Sequence, residues 1–116
     1  MATNLQFIKS ASATGTTSIS VTDCFTSNYD VYAITLSGFV NSSGSPSQLS
    51  LRFIDNADNP ITNAQYDSAV LNTRSGSSFV EYASTNQTRS QFFGQVDFPP
   101  ESTSAYLDIF NPTDTS

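Results

Sequence analysis

The chain of 116 residues has no histidine, no tryptophan, one cysteine and only four cations, Lys9, Arg52, Arg74 and Arg89. Each shortage removes a class of function. Without histidine there is no side chain that normally changes charge between about pH 5 and 8, so a built-in pH sensor is not expected. A Ser or Cys nucleophile would have to use Asp, Glu or Lys as its base. Cys24 has no second cysteine for an intrachain disulfide, and no zinc site can be assembled from this chain's cysteines and histidines. Stability must therefore come from packing. Beside Phe25 and ahead of a strand, Cys24 reads as a small buried apolar side chain; the competing reading, a reactive thiol, finds no evident cation to lower its pKa.

Four cations against ten carboxylates leave a net charge of −6, which opposes attraction to a phosphate backbone, and the cations lie far apart in sequence. Nucleic acid is not an expected partner. No apolar run approaches the ~20 residues of a membrane span, and MATNLQFIK offers neither the basic leader nor the apolar core of a signal peptide. The expectation is a soluble protein made in a cytoplasm, with no membrane partner. The phosphate-loop pattern GxxxxGK and the dinucleotide fingerprint GxGxxG are both missing.

The ten carboxylates allow notional acid pairs of the glycosidase kind, Asp97 with Glu101 among them. Most, however, stand at turn or strand ends where Asp caps backbone, and Phe98-Pro99-Pro100 is an extended connection. Similarly, Asp55 to Pro60, DNADNP, holds oxygens that could ligate calcium, but it lacks the glycine and terminal acid of a calcium loop and reads as a tight turn capped by Asx side chains. No catalytic residue, metal ligand or cofactor is assigned, and the protein is not expected to be an enzyme. Two N-glycosylation patterns, at Asn41 and Asn86, are of a kind that arises by chance in a chain this rich in Asn, Ser and Thr, and are expected to stay bare.

What is present is β-sheet patterning. The hydrophobic share of 37% is low for a globular domain, yet nine Phe and five Tyr spread along the chain supply side chains for a small core. The length suits one domain, residues 1–116. In the strand of Asp30 to Phe39, Tyr32, Ile34 and Leu36 share one face and Ala33, Thr35 and Ser37 the other. Further strands are expected at Leu5 and Phe7, at Ile19 and Val21, over LSLRFID (49–55), and around Tyr66 to Leu71, Phe79 to Tyr82, Gln91 to Phe98 and Ala105 to Phe110. NSSGSPS, TRSGSS, ASTNQT and PPEST separate them. About eight short strands predict an all-β, antiparallel β-sandwich, jelly-roll-like, with an immunoglobulin-like sandwich as runner-up.

Several strands hold adjacent apolar residues, Val31-Tyr32, Val70-Leu71, Phe79-Val80 and most sharply Phe92-Phe93. Neighbours in a strand point to opposite faces, so one of each pair meets solvent, a bulge, a covering loop or another chain. Self-association, with Phe92 and Phe93 at the interface, is the functional expectation. An alternative from another class is a carbohydrate-binding or host-receptor-binding module with Tyr29, Tyr66 and Tyr82 as exposed rings for a host surface glycan, a reading weakened by the absence of Trp.

Phe7 to Phe39, FIKSASATGTTSISVTDCFTSNYDVYAITLSGF, followed by LSLRFID and later by LDIFNPTDTS, resembles a β-rich module of virion proteins of tailed bacteriophages, particularly cyanophages. The turn Phe25-Thr26-Ser27-Asn28-Tyr29-Asp30 and the segment Phe110-Asn111-Pro112 are its most recognisable parts. The resemblance implies a structural role on a phage particle, in a tail fibre, tail appendage or capsid-decorating protein, among other virion proteins, and it brings no catalytic residues. Such modules usually continue past the Asn-Pro turn with closing strands, whereas here Ser116 follows Pro112 by four residues. The resemblance thus leads us to expect a sandwich without its closing strands in this sequence, which either belong to a longer product or are replaced by a neighbouring chain, with the edge near Tyr106 to Phe110 covered in the assembly; Tyr106 and Phe110 join the candidate interface.

Overall fold

The computed structural model describes residues 5–42, 44, 47–73, 79–90, 95–96 and 100–113. Those residues form strands and turns and no helix. In chain order the strands are β1 (Val31–Phe39), β2 (Ser47–Gln48), β3 (Tyr66–Asn72), β4 (Val80–Gln87), β5 (Gln95–Val96) and β6 (Thr103–Phe110). They pair as β1 with β6, β2 with β5 and β3 with β4. The protein is all-β, with antiparallel pairing, and six strands stand among the described residues where the sequence suggested about eight. The chain divides into two compact units, Met1–Ile34 with Tyr106–Ser116, and Thr35–Ala105.

The part of β1 that lies in the first unit follows its sequence alternation: Tyr32 and Ile34 turn inward while Val31 and Ala33 face out. Tyr32 is 6% exposed and, on β6, Ile109 is 8% exposed. These are the two buried apolar side chains among the described residues. The Asn111 N–H donates to the Asp30 carbonyl at 2.6 Å, joining the start of β1 to the end of β6. Asn111 then adopts φ 47°, a left-handed conformation that Asn tolerates and a strand cannot continue through.

The turn ahead of β1 is built around Tyr32. Its hydroxyl donates to the Thr26 carbonyl and accepts from the Thr26 N–H, both at 2.8 Å. Phe25 and Tyr29 set their rings edge-on to it, with centroids 4.9 and 6.0 Å away, the geometry favoured by the aromatic quadrupole. Half-buried Cys24 donates its thiol to the Val21 carbonyl at 3.6 Å.

The strands expected at Leu5 to Phe7 and at Ile19 to Val21 do not form. Alternation makes a segment able to pair, but a strand needs a neighbouring backbone, and residues 5–20 are exposed throughout. Two side-chain tethers position them instead: the Tyr29 hydroxyl donates to Gln6 Oε1, and Lys9 Nζ donates to the Thr22 carbonyl at 2.7 Å.

In the second unit, β3 and β4 pair from Asn72↔Val80 through Ser68↔Ser84, then shift by one residue before Tyr66↔Gln87. The bulge is on β4, where Thr85 and Asn86 stand opposite Asp67: the Asp67 carboxylate accepts the Asn86 N–H at 2.8 Å while Asn86 takes φ 55°. Because the bulge extends pairing through polar residues, β4 continues across most of ASTNQT, which had read as a connection. LSLRFID is reduced to isolated bridges, Leu51↔Ser90 and Ile54↔Pro60; Pro60 has no N–H to extend the ladder.

The Asp55 to Pro60 segment is the expected tight turn. The Asp55 carboxylate accepts the N–H groups of Ala57 and Asn59, each at 2.9 Å, and Asp58 adopts φ 60°. These bonds hold the Asp55 carboxyl below its ordinary pKa, the Asn59 amide contributing most and the Ala57 amide next. Tyr66 braces the turn from β3. Its hydroxyl accepts from the Phe53 N–H at 2.9 Å and donates to the Ile61 carbonyl at 3.1 Å, with its ring stacked on Phe53 at 6.4 Å.

Candidate functional site

Period-two alternation divides β6 cleanly. Ala105, Leu107 and Ile109 are buried or half-buried, whereas Ser104, Tyr106, Asp108 and Phe110 are exposed on the opposite face. Tyr106 is 66% and Phe110 68% exposed. Asp108 stands between them, and its Oδ1 accepts the Tyr106 hydroxyl at 2.7 Å. Donation to that carboxylate raises the Tyr106 pKa, because the neutral phenol is the form the bond favours. Val31, next to the Asp30–Asn111 bond, is a further exposed apolar residue of the same ribbon. The outer face thus presents aromatic and aliphatic surface around one hydrogen-bonded carboxylate.

Leu5 and Phe7 add to the exposed apolar surface of the first unit, at 86% and 77%. The sequence reading placed them in a first short strand. Gln6, between them, is held by the Tyr29 hydroxyl, a contact 23 residues away that no local pattern signals, while both neighbours are left exposed. Among the described residues of this unit, more large apolar side chains are exposed than are buried.

Of the other expected interface residues, Phe92 and Phe93 lie outside the described residues. The three tyrosines weighed for sugar contact separate. Tyr29 and Tyr82 are exposed, whereas half-buried Tyr66 has its hydroxyl bonded to two peptide groups and its ring against Phe53. Tyr66 and Tyr82 share one face of the β3–β4 ribbon with Ser68, Ser84 and Val70, the Ser68 and Ser84 hydroxyls 3.0 Å apart. Asp97 lies outside the described residues and Glu101 is exposed. Among the described residues no group of three or more His, Cys, Asp or Glu could hold a metal ion, and no helix is long and apolar enough to cross a membrane.

Asn41 donates its side-chain amide to Ser47 Oγ at 2.7 Å, and Asn86 is exposed at the β-bulge. What these surfaces offer chemically is apolar burial and hydrogen bonding. No family model, no curated protein and no solved structure matches the chain.

Proposed function

We propose that the protein is a non-enzymatic structural component of a tailed-phage virion, in a tail fibre, an appendage or a capsid decoration, and that it acts by protein–protein assembly. The observation that carries the assembly reading is the outer face of the β1–β6 ribbon, where Val31, Tyr106 and Phe110 stand exposed. Removing apolar surface of this kind from water contributes roughly 25 cal/mol per Å², and contiguous exposed apolar surface marks interaction sites. The phage assignment itself rests on the likeness of the Phe25 to Asp30 turn and the Phe110-Asn111-Pro112 segment to virion modules. Within this reading the antiparallel pairs belong to a jelly-roll-like sandwich, completed by neighbouring chains in the particle, and the protein passes from the host cytoplasm into the virion.

The test is copurification. Intact particles from infected cells, banded by density and quantified by mass spectrometry, should carry the protein at fixed stoichiometry through repeated banding. Its loss from particles on washing would overturn the reading. A glycan-binding role would rest on Tyr29 and Tyr82, and is favoured instead if glycan-array binding appears and disappears with Y82A.

A further inference from the structure

We propose that residues 5–20 form a strap, latched to the turn ahead of β1 by two side-chain hydrogen bonds, that opens as a unit while the rest of the fold stays closed. Every residue from Leu5 to Ser20 is exposed. Among the described residues none of them makes a backbone–backbone hydrogen bond. Neither a ladder nor a buried side chain holds the segment, which are the two things that give a region high local stability. Burial begins at its root, where Val21, Thr22, Cys24 and Phe25 are half-buried. There the Thr26 N–H and carbonyl are both bonded to the Tyr32 hydroxyl.

The latch joins the strap to that root. Lys9 Nζ donates to the Thr22 carbonyl at 2.7 Å, and the Tyr29 hydroxyl donates to Gln6 Oε1. The pairs are nested, 9 with 22 inside 6 with 29, so the chain between them runs out and back. Its return lies at Gly15, which takes φ 67° with nothing within 4 Å of the position a Cβ would occupy, a conformation glycine adopts without steric cost. The Thr16 hydroxyl donates to the Ser18 carbonyl at 3.1 Å just beyond it. Closing the inner pair shortens the loop that the outer pair must close, so the two bonds form and break together. Both lie at exposed positions, where water replaces either partner and little is lost on opening. Opening frees the Tyr29 hydroxyl and lets Leu5 reach up to roughly 50 Å from Val21, at about 3.3 Å per residue of extended chain.

Backbone order parameters and amide exchange of wild type, Q6A, K9A, Y29F and Q6A/Y29F test this. In wild type the order parameters of residues 5–9 should lie between about 0.85, the value of rigid backbone, and about 0.6, below which backbone is flexible. Their amides should exchange at least ~100-fold faster than those of Tyr32 and Ile109, because strap opening does not require unfolding. Q6A, Y29F and K9A should each drop residues 5–9 below about 0.6 together, since losing either pair opens both. Q6A/Y29F should match its single variants, because both substitutions remove the same bond. All the substitutions are at exposed positions, and melting temperature should stay within about 2 °C of wild type, as for surface changes generally. Residues 5–9 as rigid as β1 in the variants, or already below about 0.6 in wild type, would overturn the latch. So would additive effects in Q6A/Y29F. A variant that melts more than about 5 °C lower and loses protection of Tyr32 would show the segment to be part of the folded core instead of a strap upon it.

Discussion

Tyr32 in the first unit and Tyr66 in the second solve the same problem at different ranges. Each hydroxyl takes one backbone N–H and serves one backbone C=O, and each ring has a phenylalanine partner. Tyr32 spends both bonds on Thr26, six residues earlier in its own turn, and is buried. Tyr66 bridges Phe53 and Ile61, the two sides of the Asp55 turn, and is half-buried. The difference teaches how a chain with little apolar core organises loops: tyrosine joins ring packing to peptide hydrogen bonding, so one side chain both anchors a turn and satisfies its backbone. Burial then sets how much each anchor is worth.

The largest expected effect is therefore truncation. Y32A should destabilise the protein by about 3–5 kcal/mol, the range for deleting a buried aromatic side chain, and Y66A by about half of that because its ring is partly solvated. Equal losses in thermal or urea unfolding would break the comparison. Next comes removal of the hydroxyls alone. Y32F should cost about 1–3 kcal/mol, since it strips partners from peptide groups under the ring, and should speed exchange of the Thr26 amide. Y66F should cost less and expose the Phe53 amide instead; Thr26 exchange unchanged in Y32F would contradict the assignment.

Acid should produce the smallest effect, confined to the second unit's turn. The Asp55 carboxyl titrates below its ordinary value because the native turn bonds its charged form. Its contribution to stability is accordingly present above the unfolded pKa of about 3.9 and is lost as pH falls through the lower folded value. The Ala57 and Asn59 amide resonances should move together below about pH 4, with no matching change in D55N. The Thr26 amide, whose acceptor is a phenol, should move much less over the same range, and parallel movement of all three would erase the contrast between the two anchors.

Much of the local structure was legible in the sequence. Alternation placed Tyr32, Ile34 and Leu36 on one face of β1 because side-chain direction in a strand depends on parity alone. DNADNP was legible as a turn because a short Asx side chain reaches the amides two and four residues ahead, as Asp55 does. Partnership was less legible. Leu5-Gln6-Phe7 has the pattern of a strand and no partner strand among the described residues, and ASTNQT looked like a loop until a bulge bonding Asn86 to Asp67 kept most of it paired. Tyr66 looked as available for a ligand as Tyr29 and Tyr82; its two backbone partners lie 5 and 13 residues away, beyond the reach of any local pattern.

By itself, then, the sequence determined the absence of histidine chemistry and of an intrachain disulfide, the β class, the parity of β1 and the capped turn at Asp55, all properties of composition or of a few adjacent residues. Only the tertiary structure decided that β1 pairs with β6, that Tyr32 and Ile109 are buried, and that Leu5, Phe7, Tyr106 and Phe110 are left facing water. The physical reason is that alternation assigns a side chain to one of two faces, while burial depends on what lies against that face, which is settled by segments distant in the chain.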